Sequence, residues 1–159
     1  MDINIEKGNL KYLSECEDAL LKSELGRRYF SNVGSGKRAV LAGLEQGNMY
    51  IALVNEECAG FIWYIPKGAF HSFPYLHIIS VKEEYRGKGI GKKLMNYVEQ
   101  LVFAYTEKIF LVVADFNLSA KHFYEKNGYL QVGEIPNLYR AGITEYLMMK
   151  EKPSHQANL

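Results

Sequence analysis

The sequence has few of the residues that stabilise secreted or metal-binding proteins, and it has no long hydrophobic run. Its 159 residues include two cysteines, four prolines and one tryptophan. Cys16 and Cys58 lie far apart, without a CxxC or Cys/His pattern. We therefore expect reduced thiols in a cytoplasmic protein and no metal site. Because neither a signal-peptide core nor a membrane span is visible, we also expect no association with a membrane.

An excess of either charge is missing as well. Nineteen lysines and arginines balance eighteen aspartates and glutamates, which gives a formal net charge of +1. A protein without a strong overall positive field is not expected to bind nucleic acid. The cationic residues cluster locally instead, at Arg86, Lys88, Lys92 and Lys93. A local cluster of this kind suits a small polyanionic ligand.

Length and a hydrophobic content of 48% predict one globular domain, which we place at residues 1–150, with a polar tail at 151–159. Hydrophobic periodicity indicates a mixed α/β fold. The predicted strands are 4–7, 49–54, 58–65, 75–81, 109–113, 129–135 and 144–149. The predicted helices are 17–30, 37–46, 90–102 and 117–127, and the longer loops are 31–37 and 66–74.

A glycine-rich turn joins the strand ending at Val81 to the helix beginning at Ile90. Backbone N–H groups in such a turn can converge on a phosphate, and the positive end of the helix dipole supports them. The spacing does not fit a P-loop, because Arg86 and Lys93 stand where a P-loop needs glycine and a hydroxyl residue. It does not fit a dinucleotide fingerprint either, because Lys92 or Leu94 stands where the third glycine would be. The turn therefore indicates a different phosphate site. The alternative is a plain strand-to-helix turn with solvated lysines.

A second pattern follows, in which Asn117, Ala120, Phe123-Tyr124, Lys126 and Gly128-Tyr129 spell N-x-x-A-x-x-F-Y-x-K-x-G-[FY]. Together with R-x-x-G-x-G at residues 86–91, it resembles the GCN5-related N-acetyltransferase (GNAT) superfamily, most clearly over 75–129. Residues 136–150 loosely resemble the ribosomal-protein N-terminal acetyltransferases.

The resemblance implies the GNAT fold, a mixed central β-sheet of about six to seven strands flanked by about four helices. It also implies acetyl-CoA as cosubstrate without a metal, direct attack by a primary amine in a ternary complex, and a possible homodimer. The acceptor stays open between a small-molecule amine and a peptide N-terminus or lysine. The alternative function is a non-catalytic acyl-CoA-binding sensor or scaffold module.

The resemblance also implies roles for individual residues. Asn117 would contact the pantetheine, although it is equally a candidate helix N-cap, and Tyr124 would protonate the departing thiolate, although it is also a candidate core residue. The backbone of Ile79, Ser80 and Val81 would bind the pantetheine arm and the thioester carbonyl. The pyrophosphate would lie against Arg86, Gly87, Lys88, Gly89, Ile90 and Gly91.

The general base has no clear candidate in the motifs. Related N-terminal acetyltransferases often place a glutamate five residues before the motif asparagine, and that position is Val112 here. His77 is the substitute, because strand alternation puts it on the face of Ile79 and Val81 and an imidazole pKa of about 6.5 suits proton removal. A half-buried structural histidine and water-mediated deprotonation stay open as alternatives.

We expect the acceptor pocket opposite the cofactor, between the loops 29–37, 66–74 and 136–142. Aromatic residues in and beside these loops are the candidates for its walls, although aromatic residues that fill a core look the same in sequence. They are Tyr29, Phe30, Trp63, Phe70, Phe73 and Tyr139.

Overall fold

The computed structural model describes residues 1–154 and shows seven strands and five α-helices in that range. The strands are β1 (Ile3–Lys7), β2 (Met49–Val54), β3 (Glu57–Ala69), β4 (Phe73–Val81), β5 (Lys108–Ala114), β6 (Leu130–Pro136) and β7 (Thr144–Glu151). The helices are α1 (Leu13–Leu21), α2 (Glu24–Tyr29), α3 (Ser35–Gln46), α4 (Ile90–Val102) and α5 (Leu118–Lys126).

All seven strands form one mixed sheet in the order β1-β2-β3-β4-β5-β7-β6. Neighbouring strands are antiparallel except for β4 and β5, which are parallel. The predicted mixed α/β architecture is therefore confirmed, with one helix more than expected. β7 extends to Glu151, which pairs with Lys108, so this strand ends inside the predicted tail. Residues 155–159 of that tail lie outside the described residues.

Two hydrophobic clusters cover the two faces of the sheet. The first, here called the α4 cluster, is formed with Leu94, Val98 and Val102, which lie along one side of α4 as the periodicity predicts. The second, the α1 cluster, contains the free thiols of Cys16 and Cys58. None of the helices within residues 1–154 is both long enough and apolar enough to cross a membrane.

The predicted helix 17–30 is wrong, because the chain breaks it into α1 and α2 at Ser23. The Ser23 hydroxyl accepts a hydrogen bond from the Gly26 amide at 3.0 Å and so caps a new helix. A Cβ built on Gly26 would lie 1.8 Å from the Leu20 carbonyl oxygen, which shows how tightly α2 approaches the end of α1. Helix α3 then begins at Ser35, inside the predicted loop.

The predicted loop 66–74 is also wrong. β3 continues to Ala69, which pairs with Phe73 of β4, so the two strands form one long hairpin. Phe70 and His71 make the turn with positive φ angles of 55° and 58°. Hairpin turns of this shape usually carry glycine or asparagine, and for that reason the sequence gives no turn signal here.

A β-bulge and a splayed strand pair open the sheet near its centre. Trp63 pairs with Ile78 and Tyr64 pairs with Leu76, which leaves His77 as the extra residue of β4. On the other side of β4, Tyr75 pairs with Phe110 of β5, and no further register pair joins these two strands in the described chain. Beyond Tyr75 the strands therefore diverge.

Candidate active site

The diverging strands β4 and β5 form the walls of a cleft of about 870 Å³. The glycine turn and the N-terminus of α4 line one end, and α5 contributes Asn117 and Tyr124. The opposite end is lined by α2, by the start of β7 and by residues 137–143, here called the β6–β7 loop. The structure thus brings both sequence motifs to one cavity.

The glycine turn leaves its backbone open towards the cleft. Gly87 and Gly89 have φ angles of 74° and 81°, in the left-handed region that favours glycine. A Cβ built on either residue would meet no atom within 4 Å, so nothing in the protein fills the space beside the turn. Gly89 is also the N-cap of α4, so the first amides of this helix, which have no partner within the helix, lie next to the turn. The turn can therefore accept an anion.

The cationic side chains near the turn differ in position. Arg86 lines the cleft, and its Nε donates to the Val81 carbonyl oxygen at 3.1 Å, which ties the guanidinium to the end of β4. Lys92 also lines the cleft. The Nζ of Lys88 instead donates to the Glu84 carbonyl oxygen at 3.1 Å, which turns its side chain back over the turn. Any contribution of Lys88 to the cleft therefore comes from its backbone.

Ile90 and Gly91 fix the helix that follows the turn. The Ile90 side chain is buried in the α4 cluster. A Cβ on Gly91 would lie 3.2 Å from the Phe123 ring, so the absence of a side chain lets α4 approach α5. Both residues line the cleft, and they place the first amides of α4 at its edge.

On its β5 side, the backbone edge of Ile79–Val81 has no strand partner among the described residues 1–154. Its side chains pack elsewhere: Ile79 and Val81 lie against the α4 cluster, and the Ser80 hydroxyl donates to the Ala19 carbonyl oxygen at 2.8 Å. The amide and carbonyl groups on this edge can therefore bind an extended ligand in the way an added strand would.

Asn117 and Tyr124 lie on the other wall of the cleft. Asn117 occupies the N-cap position of α5, but its side chain makes no capping hydrogen bond, so the expected alternative of a simple cap is not what the geometry shows. Tyr124 is 8% exposed, and burial raises the pKa of its phenol. The phenol is therefore protonated at neutral pH and can act as a proton donor.

His77 lines the cleft, but not on the face that alternation predicts. The bulge interrupts the alternation, and the His77 ring lies 4.5 Å from the Trp63 ring in an edge-to-face contact. Trp63 belongs to the α1 cluster, whereas Ile79 and Val81 pack against the α4 cluster. Burial lowers the pKa of His77, so its imidazole is neutral at pH 7.

The acceptor end contains half of the expected aromatic residues. Tyr29, Phe30 and Tyr139 line the cleft as predicted. Trp63 does not line the cleft but fills the α1 cluster beneath His77. Phe70 and Phe73 are also misplaced by the prediction, because the β3–β4 hairpin carries them to its far end. There both rings pack on Phe110.

Three cleft residues at this end were missed by the sequence reasoning. Tyr75 and Tyr139 share a hydrogen bond between their hydroxyls at 3.1 Å, and Arg140 donates to the Tyr29 carbonyl oxygen at 3.4 Å. Glu145 is 2% exposed and accepts a hydrogen bond from the Tyr29 hydroxyl at 3.0 Å. The sequence did contain a signal for Glu145, because strand alternation puts it on the same face of β7 as the apolar residues Leu147 and Met149. A charged residue on such a face is unusual and often has a function.

The pKa of Glu145 is raised, chiefly by burial. The hydrogen bond from Tyr29 acts in the opposite direction and favours the carboxylate.

No three His, Cys, Asp or Glu side chains within residues 1–154 converge as a metal site would require.

Comparison with known proteins assigns the chain that forms this cleft to a family. The Acetyltransferase (GNAT) family model matches residues 16–129, well over half of the chain. An uncharacterized N-acetyltransferase of Methanocaldococcus jannaschii is 39% identical over 87 residues, which are 52% of this chain and 56% of the relative. The match thus spans about half the length of that relative.

Two solved structures share the fold across nearly the whole chain. The ribosomal-protein-S18-alanine N-acetyltransferase from Escherichia coli superposes with a TM-score of 0.75 at 16% identity, covering 99% of both chains. The PaiA N-acetyltransferase from Thermoplasma acidophilum, in complex with coenzyme A, superposes with a TM-score of 0.73 at 20% identity. That match covers 96% of this chain and 100% of the other. The chain belongs to the acetyltransferase (GNAT) family.

Proposed function

We propose that this protein is an acetyl-CoA-dependent N-acetyltransferase that transfers the acetyl group to a primary amine by direct attack in a ternary complex. The observation that carries the proposal is the splayed β4–β5 cleft, which ends on the open glycine turn at Gly87 and Gly89. An unpaired strand edge followed by an anion-binding turn fits a ligand with an extended amide arm and a pyrophosphate.

The residues present fit acetyl-CoA. The amides of the turn and of the α4 N-terminus, with Arg86 and Lys92, would hold the pyrophosphate. The backbone of Ile79–Val81 would bind the pantetheine arm, together with the Asn117 side chain, which makes no capping hydrogen bond to α5. When bound, acetyl-CoA would supply the acetyl group as an activated thioester.

The protein's own groups account for the charge and the protons of the transfer. Amides on the β4 edge would stabilise the negative charge that develops on the carbonyl oxygen. Neutral His77 would take a proton from the incoming ammonium group, since an amine attacks only after it loses one. Tyr124 would donate its proton to the leaving sulfur.

The test is CoA release from acetyl-CoA with a panel of alkylamines, diamines and N-terminal peptides. We expect turnover of at least one acceptor, and we expect Tyr124→Phe to lower kcat by about 10²- to 10⁴-fold while acetyl-CoA still binds. Tyr129→Phe is the matched control, because Tyr129 is buried beside Tyr124 with ring centroids 6.0 Å apart but does not line the cleft. That variant should keep its turnover.

The pH profile tests His77. Because burial lowers its pKa below 6.5, wild-type kcat should fall only as the pH drops further below that value and the imidazole becomes charged. His77→Gln should lack this fall. Tight binding of acetyl-CoA without turnover of any amine would contradict the proposal and favour a non-catalytic acyl-CoA-binding module.

A further inference from the structure

Glu145 is a buried carboxylate that has no cationic partner within residues 1–154. The other buried carboxylate of the described chain, Glu99, lies outside the cleft and is compensated by the Lys150 ammonium group at 2.8 Å. Glu145 has instead the neutral hydroxyl of Tyr29. Burial of a charge without a counter-ion is costly, so a site of this kind is suited to receive a cation from outside.

The strand register places this carboxylate in the cleft. Glu145 of β7 pairs with Ala114 of β5, and Leu147 pairs with Val112. Paired residues of antiparallel strands share a face, and so do residues two apart on one strand. Glu145 therefore lies diagonally across from Val112, on the same face. Both residues line the cleft.

Aromatic rings surround the acceptor end beside Glu145. The Tyr29 ring lies 5.7 Å from Phe116 and 5.9 Å from Tyr139, and Tyr139 is joined to Tyr75 by the hydroxyl contact described above. The Arg140 guanidinium group lies 5.6 Å from the centre of the Tyr29 ring, and the Arg28 guanidinium group lies 4.5 Å from that of Phe116, so these rings already attract cations. Neither arginine forms an ion pair with Glu145 in the described part of the chain. A carboxylate among aromatic rings is an environment that favours an ammonium ion over a neutral group.

We propose that Glu145 binds the acceptor amine as its ammonium ion, so that the acceptor is a primary amine recognised in its cationic form. The inference rests on the proposed function, because it assigns the acceptor subsite of that reaction. Glu145 holds and orients the ammonium group, and the proton is removed afterwards by His77. The hydrogen bond from the Tyr29 hydroxyl keeps the carboxylate in place and favours its ionised form.

The experiment compares wild type with Glu145→Gln, which keeps the shape and can still accept the hydrogen bond from Tyr29. With the best amine of the panel, we expect the KM for the amine at pH 7 to rise about 10- to 100-fold, the range for a lost hydrogen bond to a charged group. The KM for acetyl-CoA should stay unchanged. Glu99→Gln, which alters a buried carboxylate away from the cleft, should leave the amine KM unchanged.

The pH dependence separates binding from a structural role. Besides burial, the negative charge of Asp115 raises the pKa of Glu145, and the Tyr29 hydroxyl opposes both. As the pH falls through this raised pKa, the carboxylate becomes neutral, so the wild-type amine KM should rise, and Glu145→Gln should lack this rise. Tyr29→Phe removes the hydrogen bond that lowers this pKa, so its KM should begin to rise at a higher pH. An unchanged amine KM and pH profile in Glu145→Gln, with wild-type turnover intact, would overturn the inference alone.

A binding measurement distinguishes failure of the inference from failure of the proposed function. Each amine of the panel is titrated by calorimetry into CoA-saturated wild type and Glu145→Gln, where no turnover is needed. Binding that depends on Glu145 in a protein without turnover would support the inference and overturn the proposed function. Equal amine affinity in the two proteins would overturn the inference. Glu145→Asp, which keeps the charge, should retain part of the affinity.

Discussion

At the scale of single residues, Gly89 shows how a backbone conformation can prepare a binding site. Its φ of 81° is unfavourable for residues with a Cβ, and an added methyl group would meet no protein atom within 4 Å. The methyl group would project beside the turn, where we place the pyrophosphate. A side chain at Gly89 would therefore strain the backbone and obstruct the ligand, but it would not clash with other protein atoms.

We expect Gly89→Ala to lower the free energy of unfolding by about 1–2 kcal/mol and to weaken acetyl-CoA binding by about tenfold or more. Urea denaturation and calorimetry measure the two effects. Gly142→Ala is the matched control, because Gly142 has the same φ of 81° and the same empty surroundings but lies in the β6–β7 loop. It should show the same loss of stability with unchanged acetyl-CoA affinity. Equal affinity in both variants would contradict a pyrophosphate site at Gly89.

At the scale of elements, the contact between α1 and α2 positions the acceptor end of the cleft. Helix α2 carries Tyr29, and its approach to α1 depends on the missing side chain of Gly26. A Cβ there would lie 1.8 Å from a carbonyl oxygen of the backbone, which cannot move aside as a flexible side chain can. The position of α2 and the hydrogen bond from Tyr29 to Glu145 are therefore linked.

Gly26→Ala should destabilise the protein by about 1–3 kcal/mol or more through overpacking, and it should raise the KM for the amine because Tyr29 shifts. Urea denaturation and acceptor kinetics measure both. In Gly36→Ala the added Cβ would meet only the flexible end of Leu21, at 2.8 Å, so this variant should be much closer to wild type. If the two alanine variants were equally stable, the proposed dependence of α2 on Gly26 would be wrong.

The sequence predicted the elements whose signals are local and missed those that depend on tertiary contacts. The period of α4, the stop at Gly47 and the strand before the glycine turn are all local patterns, and the structure confirms them. Ser23 looked like a mid-helix serine, because its capping role depends on how α2 folds back on α1. The hairpin turn at Phe70 and His71 carries no glycine.

The candidate site was predictable to a similar extent. The glycine turn, Asn117 and Tyr124 are motif positions, and the structure brings them to one cleft. The bulge at His77 follows from the pairing of β4 with β3, so alternation alone placed its ring on the wrong face. Glu145 lies far from the motifs in sequence, and it reaches the cleft only because β7 pairs with β5.

At the scale of the whole molecule, the sheet consists of two parts that share little backbone pairing. Strands β1–β4 form one part, and strands β5–β7 form the other. The register pair of Tyr75 and Phe110 joins them. A ligand in the cleft would contact both parts, and it would therefore stabilise the native state as a whole.

We expect acetyl-CoA at a hundredfold excess over its Kd to stabilise the protein by about 2.7 kcal/mol, the value that linkage requires for one site. Hydrogen exchange gives the local effect: amides of Ile79–Val81 should become more protected. Amides of β1, at the outer edge of the sheet, should follow only the global change. Protection that increased equally in both strands, with no excess at β4, would argue against binding along this edge.

The unpaired edge of β4 also bears on how such a protein can diverge. The groups that this edge presents belong to the main chain, and every residue type except proline supplies the same amide and carbonyl. Substitutions at residues 79–81 can therefore accumulate for reasons of packing without altering what the edge offers to a ligand. This helps to explain how the Escherichia coli ribosomal-protein-S18-alanine N-acetyltransferase can share the fold at 16% identity, since neutral substitutions change the side chains while the peptide groups stay in place.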